Sequence, residues 1–382
     1  MRIFYFCLAL LLPGCVQEQA KITIPSVAPE IVDLDTADLG VLGTYTRAVA
    51  LETRDACLLG NVDSVKLMAN GDLLVMDKSA TKSVYRFDRQ GRFLNRFGAL
   101  GQGPGEYETL LDVAVLDNGL TLLVTDGKLL LFRADGTFLR ERRVGFVGYF
   151  AEGWQDQFYI FVTSGMERVD HTLWVFDQNL NKRKSFHPYD RRFDRVGFLP
   201  YNALTASPEH IFISELYDFR LTAYTAAGVP QQAFLFPNDN GSLEGFWQGR
   251  GKPDQRSLRQ LFQGIHRPIT VQAFGDLVYM LEIQNKRQIH RTLILDTRTH
   301  KLYRFPNLKP VGYPSAAYLS MDHVAGRFEG GLIGICDSPE QLRRHRDNYD
   351  VLKGLTLGET DNPIVLFFLI KHPGKTARPS GA

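Results

Sequence analysis

Three separated segments of the chain carry side chains able to grip or transform a polar ligand. "SGMERVDHT" brings Arg168 and His171, "ELYDFR" brings Tyr217 and Asp218, and "QNKRQIHR" brings Arg287 and His290. Arginine forks suit a carboxylate, and aromatic rings stack on a sugar or a peptide plane. Gathered around one pocket, His, Asp, Arg and Tyr could also serve a lyase or a hydrolase. Trp247 and Arg250, in the glycine-bearing stretch 237–265, join the candidates. Trp247 reads either as a stacking platform or as the anchor that pins a long loop. Taken singly, each of these residues reads as a rim charge or a satisfied loop residue. Convergence is what would make them a site.

Other chemistries lack their signals. "RFGALGQGPGEYETL" holds Gly98, Gly101, Gly103 and Gly105, yet a dinucleotide fingerprint counted from Gly101 meets Glu106 where its third glycine belongs. Pro104 removes a backbone donor, and strand-like residues follow where a helix should open. The stretch is expected to be a crossing between sheets, with Gln102, Glu106 and Tyr107 still able to line a site. There is no H-E-x-x-H, C-x-x-C or G-x-S-x-G. "FPNDNGSLEGFW" has Phe236 and Trp247 at the two decisive positions of a calcium loop, so no metal and no cofactor is expected. "RRHRDNY", 343–349, reads as a solvated helix face rather than an anion site.

A chain of 382 residues, 44% hydrophobic, can bury a sizeable core. With 44 Lys+Arg against 42 Asp+Glu it has no global basic field, and nucleic acid is not an expected partner. Met1-Arg2 followed by the apolar run Ile3–Leu12 is the layout of an export signal, too short to span a bilayer. Leu12-Pro13-Gly14-Cys15 resembles a lipobox, although Pro13 departs from the usual small residue. That reading makes 1–15 a signal peptide and Cys15 a lipidation site, so membrane attachment needs no spanning helix; the alternative is a cleaved soluble signal. Cys7 leaves with the signal, and only Cys57 and Cys336 remain.

The candidates need a scaffold, and the chain supplies one by repetition. Residues 62–97 contain four apolar runs with turns at Asn70-Gly71 and Gln90-Gly91, and 110–144 repeat them with Asn118-Gly119 and Asp135-Gly136. Asn-Gly between such runs suggests two-residue turns in which both central residues have positive φ. The unit recurs more faintly through "FYIFVTSG", "HIFISEL" and "LVYMLEI". The sixth, beginning near Ala316, lacks a fourth strand, while "TYTRAVALE" at 44–52 is a spare one. Four strands every 40 to 50 residues or so is the mark of a propeller. The expected fold is all-β: a six-bladed β-propeller over 41–372, closed by an N-terminal strand completing the last blade. Around it lie a tether at 16–40 and a flexible tail at 373–382, with insertions at 237–265 and 338–355, the second with helical spacing.

In such a ring the blade-to-blade links and the second-to-third strand links emerge on one face. Both insertions and the three polar segments fall there, and long loops on a rigid scaffold tend to carry function. Cys57 and Cys336 should also sit at that face, either as two thiols or as a closing disulfide.

"YRFDRQGRFLNRFGALGQGPGEYETLLDVAV" resembles the recurrent signature of the six-bladed β-propeller lipoproteins of gut Gram-negative anaerobes, which are similar to NHL-repeat proteins. Its core is residues 87–107, and the rest, about 40 to 370, agrees in lipobox and repeat rhythm, with the fifth and sixth blades more divergent. The resemblance implies a six-bladed propeller anchored at the cell envelope and brings no catalytic residues with it; the location expected is the outer membrane, lipid-anchored, on the periplasmic side or exposed at the surface. The function expected is a non-enzymatic module that binds a glycan, a peptide or an envelope partner protein on the long-loop face. A propeller enzyme with an axial active site is the alternative, and a purely structural subunit the third reading.

Overall fold

The computed structural model describes residues 24–34, 42–163, 169–189, 203–215, 220–236, 266–284, 289–305, 323–337, 342–344, 346–355, 358 and 361–373. Six antiparallel sheets contain most of them. Blade 1 runs through Ser64–Leu67, Leu73–Asp77, Ser83–Phe87 and Phe93–Phe97. Blade 2 is Leu110–Val115, Thr121–Thr125, Lys128–Phe132 and Phe138–Arg143, and blade 3 is Val147–Trp154, Gln157–Thr163, His171–Phe176 and Lys182–Pro188. Blade 4 (Leu204–Ala206, Ile211–Glu215, Arg220–Tyr224, Pro230–Leu235) and blade 5 (His266–Phe274, Leu277–Gln284, Ile289–Asp296, Lys301–Phe305) follow the same meander.

Blade 6 takes three strands from the end of the chain, His323–Phe328, Gly331–Cys336 and Ile364–Ile370, and its fourth from the beginning. Gly43–Ala50 lies antiparallel to Ile364–Ile370, with Val49 opposite Val365 and Thr44 opposite Leu369. The fold is therefore a six-bladed β-propeller closed by its N-terminal strand, as the spare strand in the sequence suggested.

Strand alternation explains where the core sits. Side chains of a strand point to opposite faces in turn, and each blade has a neighbour on both faces. Leu73 and Val75 accordingly pack towards blade 6, while Leu74 and Met76 pack towards blade 2. This is why the second strands, "LLVMD" and "TLLVT", are buried at every position. The described residues hold six apolar clusters, one at each seam between neighbouring blades. Fully burying one Leu, Val or Phe contributes roughly 1.5–3 kcal/mol, against at most about 1 kcal/mol for an exposed ion pair, so these seams dominate cohesion. Inner strands meet so closely that a Cβ on Gly326 would stand 2.0 Å from the Val65 carbonyl, and one on Gly153 at 2.0 Å from that of Val115.

The turns differ from the expected type. The Gly71 amide donates to the Met68 carbonyl at 2.8 Å, so Ala69 and Asn70 are the central residues and only Gly71, φ 86°, is left-handed. Gly91, Gly119 and Gly136 repeat this with Asp88, Leu116 and Arg133. These are three-residue loops ending in a glycine bulge. The side chain of Asn70 accepts from the Asp72 amide at 3.1 Å, and Asn118 and Asp135 do the same two residues on. That contact suits an Asx residue with ordinary negative φ.

Part of the expected tether is a belt. Ser26–Val27 adds a fifth, parallel strand to the outer edge of blade 4, and Glu30–Asp33 adds one to blade 5. The Ala233 amide donates to the Pro25 carbonyl at 2.8 Å, and the Arg304 fork grips Asp33 at 2.5 and 2.9 Å. The belt covers two edges that would otherwise expose unpaired backbone groups.

The two remaining cysteines are not disulfide-bonded. Cys57, in a short 3-10 turn after the closing strand, is buried with Val65, Ile333 and Ile335 at the blade 6 to blade 1 seam. Cys336 follows Ile335 on the same strand and therefore faces the opposite side, with Phe274 and Leu342 at the blade 5 to blade 6 seam. The sixth sheet stands between the thiols.

Candidate functional site

Of the ligand-binding candidates on the three polar segments, the structure describes the side chain of His171. It opens the third strand of blade 3, two strands outward from the axis, with Nδ1 at 3.5 Å from Ser185 Oγ on the outer strand. Its carbonyl accepts from Trp174 Nε1 at 2.9 Å. His290 lies in the third strand of blade 5 with its backbone opposite Ile283. Arg168, Tyr217, Asp218, Arg287, Trp247, Arg250 and Cys15 lie outside the described residues.

The glycine stretch has its own internal partner. Ala99–Leu100 pairs in parallel with Glu106–Tyr107, and the Glu106 carboxylate accepts from the Gly103 amide at 2.8 Å. An amide that a phosphate would need is thus held by a carboxylate of the loop itself. Tyr107 is buried, and its hydroxyl donates to the Lys82 carbonyl at 2.9 Å. Burial pushes its pKa up to about 12. Gln102 bonds Glu108 at 2.8 Å.

On the long-loop face, the described part of the insertion between the second and third strands of blade 6 holds one helical stretch and two short turns. Leu342–Arg344 is helical, and Arg346–Asn348 and Asp350–Leu352 are 3-10 turns. Leu342 and Leu352 sink into the blade 5 to blade 6 seam, and Tyr349 packs against it. Arg343, Arg346, Asp347, Lys353 and Gly354 line an open hollow of about 360 Å³. Lys353 Nζ lies 2.6 Å from Asp350, and the pair shift each other, the lysine upward and the carboxyl downward.

A second constellation lies at the axis, on the innermost strands of three blades. Glu152 of blade 3 meets Lys66 of blade 1 at 3.4 Å and Arg327 of blade 6 at 3.3 Å. Burial alone would raise the Glu152 carboxyl, but the two cations outweigh it and hold the group below its ordinary value. Asp112, on the inner strand of blade 2, accepts from the Ala151 amide at 2.7 Å, and its burial wins, pushing its carboxyl up. On blades 4 and 5, Thr205 Oγ1 likewise accepts from the Ala273 amide at 2.9 Å. Lys66 and Arg327 are each one residue from the end of their strands, on the side of the tight first-to-second strand turns. This ion trio ties together blades that are not all neighbours and sits towards the face opposite the insertions. Sequence reasoning missed it. The signal was a charged residue inside an otherwise apolar first strand, repeated at Lys66, Asp112, Glu152 and Arg327.

Among the described residues, no group of three or more His, Cys, Asp or Glu side chains could hold a metal ion, and no helix is long and apolar enough to cross a membrane.

The fold has a solved counterpart, and weaker likenesses accompany it. A protein of Bacteroides fragilis NCTC 9343 designated an exported protein superposes with a TM-score of 0.68 at 21% identity, over 92% of this chain and 100% of that one. The WD40 domain of Pan2 from Neurospora crassa gives 0.43 at 8% identity, over 80% of this chain and 74% of that one. BamB from Moraxella catarrhalis gives 0.38 at 8%, over 86% and 100%. No curated protein matches the chain. Residues 26–236 match the family described as "Domain of unknown function (DUF4934)". The match opens on the first belt strand, closes just after the outer strand of blade 4 and spans more than half the sequence, so the chain belongs to the DUF4934 family.

Proposed function

We propose that this chain is an exported, lipid-anchored propeller of the cell envelope that binds a polar ligand, a glycan or a peptide, or a partner protein on its long-loop face. The observation that carries the reading is the construction of that face. The insertion at 342–355 is pinned by Leu342, Leu352 and Tyr349 to the seam of the closing blade, and its polar side chains border an open hollow. A rigid scaffold with a concave polar patch is suited to recognition without a large ordering cost. Export is supported by the n-region and apolar run at residues 1–12, and by the designation of the Bacteroides fragilis counterpart as exported. Anchoring is supported by the lipobox-like Leu12–Cys15.

The test screens full-length protein in detergent against glycan and peptide arrays, then repeats any binding with two sets of charge-altering substitutions. One set lies on the long-loop face and one among the tight turns at 68–72, 116–120 and 133–137. Loss confined to the first set is expected. Loss confined to the second would overturn the assignment of the face. Metabolic labelling with a palmitate analogue, lost in Cys15→Ser, tests the anchor.

A further inference from the structure

We propose that the hollow on the blade 6 insertion is a site for a carboxylate-bearing saccharide, held by Arg343 and Arg346 with Asp347 receiving its hydroxyls. This rests on the binding-module reading and names the ligand class for it. Among the described residues, neither Arg343 nor Arg346 lies within ion-pair distance of a carboxylate, although both line the hollow. Lys353, the third cation there, is engaged by Asp350 at 2.6 Å. Two guanidinium groups without a carboxylate partner among the described residues border an open space of about 360 Å³, within the range of small-ligand sites. A guanidinium fork matches a carboxylate through two parallel hydrogen bonds.

Asp347 decides the class. A carboxylate beside the arginines repels a densely charged polyanion, such as a run of acidic residues or a phosphate cluster, but accepts hydrogen bonds from neutral hydroxyls. One acid flanked by hydroxyls is the pattern of a uronate. The segment that carries these side chains is anchored beside the hollow: Leu342 and Leu352 are 5% and 2% exposed, and Tyr349 stands edge-on to Tyr45 of the closing strand. The backbone beneath the arginines is thus anchored, which confines the ordering cost of binding mainly to their exposed side chains. The sequence "RRHRDNY" suggested a solvated face. Its Arg343, Arg346 and Asp347 are exposed, and they border the hollow.

The experiment is calorimetric titration of full-length chain in detergent with galacturonate oligomers, neutral galactan oligomers of equal length, and polyglutamate. Galacturonate is expected to bind best and to weaken as salt rises. The Arg343→Ala/Arg346→Ala double variant is expected to weaken it at least about tenfold, as loss of charge-assisted bonds of this strength implies, with unchanged thermal unfolding. Undiminished galacturonate binding by that variant would overturn the site, and polyglutamate binding as well as galacturonate would overturn the ligand class. Neutral galactan bound on the long-loop face, with no preference for the acid, would sink this inference while leaving the binding module standing. Failure of the arrays to yield any ligand would remove the reading beneath both.

Discussion

The ring of Tyr349, in the insertion, meets that of Tyr45, in the closing strand, edge-on with centroids 5.5 Å apart and planes at 89°. Tyr45 in turn meets Phe368 of the neighbouring strand at 5.0 Å. The proposed binding surface is therefore built directly on the join between the two ends of the chain. Tyr349→Ala should remove an aromatic pair worth about 0.5–1.5 kcal/mol beyond its buried area. We expect a drop of a few degrees in melting temperature together with weaker ligand binding, while Tyr349→Phe should retain most of both. Thermal unfolding followed by calorimetry checks the pair.

The axial trio predicts an acid limit to stability. The Glu152 carboxyl is more acidic folded than its ordinary value of 4.5, because Lys66 and Arg327 overcome the effect of burial. A group with a depressed folded pKa stabilises fully above its unfolded value and loses that contribution as pH falls through the folded one. Denaturant unfolding should therefore show stability decreasing below about pH 4.5, with a shallower fall in Glu152→Gln. At pH 7 that variant should lose about 1–3 kcal/mol, less than a fully buried pair because both cations are partly exposed. Asp112, raised by burial, acts in the opposite sense: Asp112→Asn should flatten the loss of stability as pH rises through its elevated value.

The belt should matter through its backbone more than through its charges. Arg304→Ala breaks a pair whose members are 31% and 59% exposed, so a change under about 1 kcal/mol is expected. Deleting residues 24–34 instead uncovers the outer edges of blades 4 and 5 and the seam contacts of Leu34. That deletion should lower the melting temperature by several degrees and promote association, read by light scattering.

The position of the cysteines on two faces of one sheet predicts their chemistry. A thiol assay on the Cys7→Ser/Cys15→Ser double variant, denatured without reductant, should count two thiols. In the native state Cys57 should react slowly, since burial raises its pKa. One thiol or none after denaturation would contradict the placement of Cys57 and Cys336 on opposite sides of blade 6.

Much of the ring was legible because apolar runs recur in each blade, because the glycine-terminated corners of blades 1 and 2 mark the period, and because the spare strand at one end matches the missing strand at the other. The turn type was not. Asn70-Gly71 fits a two-residue loop and a three-residue loop with a bulge equally well on paper, and the hydrogen bond from Gly71 to Met68 decides between them. The belt escaped notice because strands of two and four residues have no period of their own and borrow their stability from Pro230–Leu235 and Lys301–Phe305. The axial trio was invisible for a different reason: Arg327 and Glu152 are 175 positions apart and meet only once the ring closes. The cysteine geometry was legible in principle, since parity along "GLIGIC" puts Ile335 and Cys336 on opposite faces.

The most direct test of the functional account is hydrogen exchange across the whole chain with and without galacturonate oligomers. Protection concentrated in 342–355 and in the closing strand beneath it, with the tight turns at 68–72, 116–120 and 133–137 unchanged, is the predicted footprint. Protection centred instead on those turns, or on the axial strands of Lys66, Glu152 and Arg327, would place recognition on the other face and contradict the account.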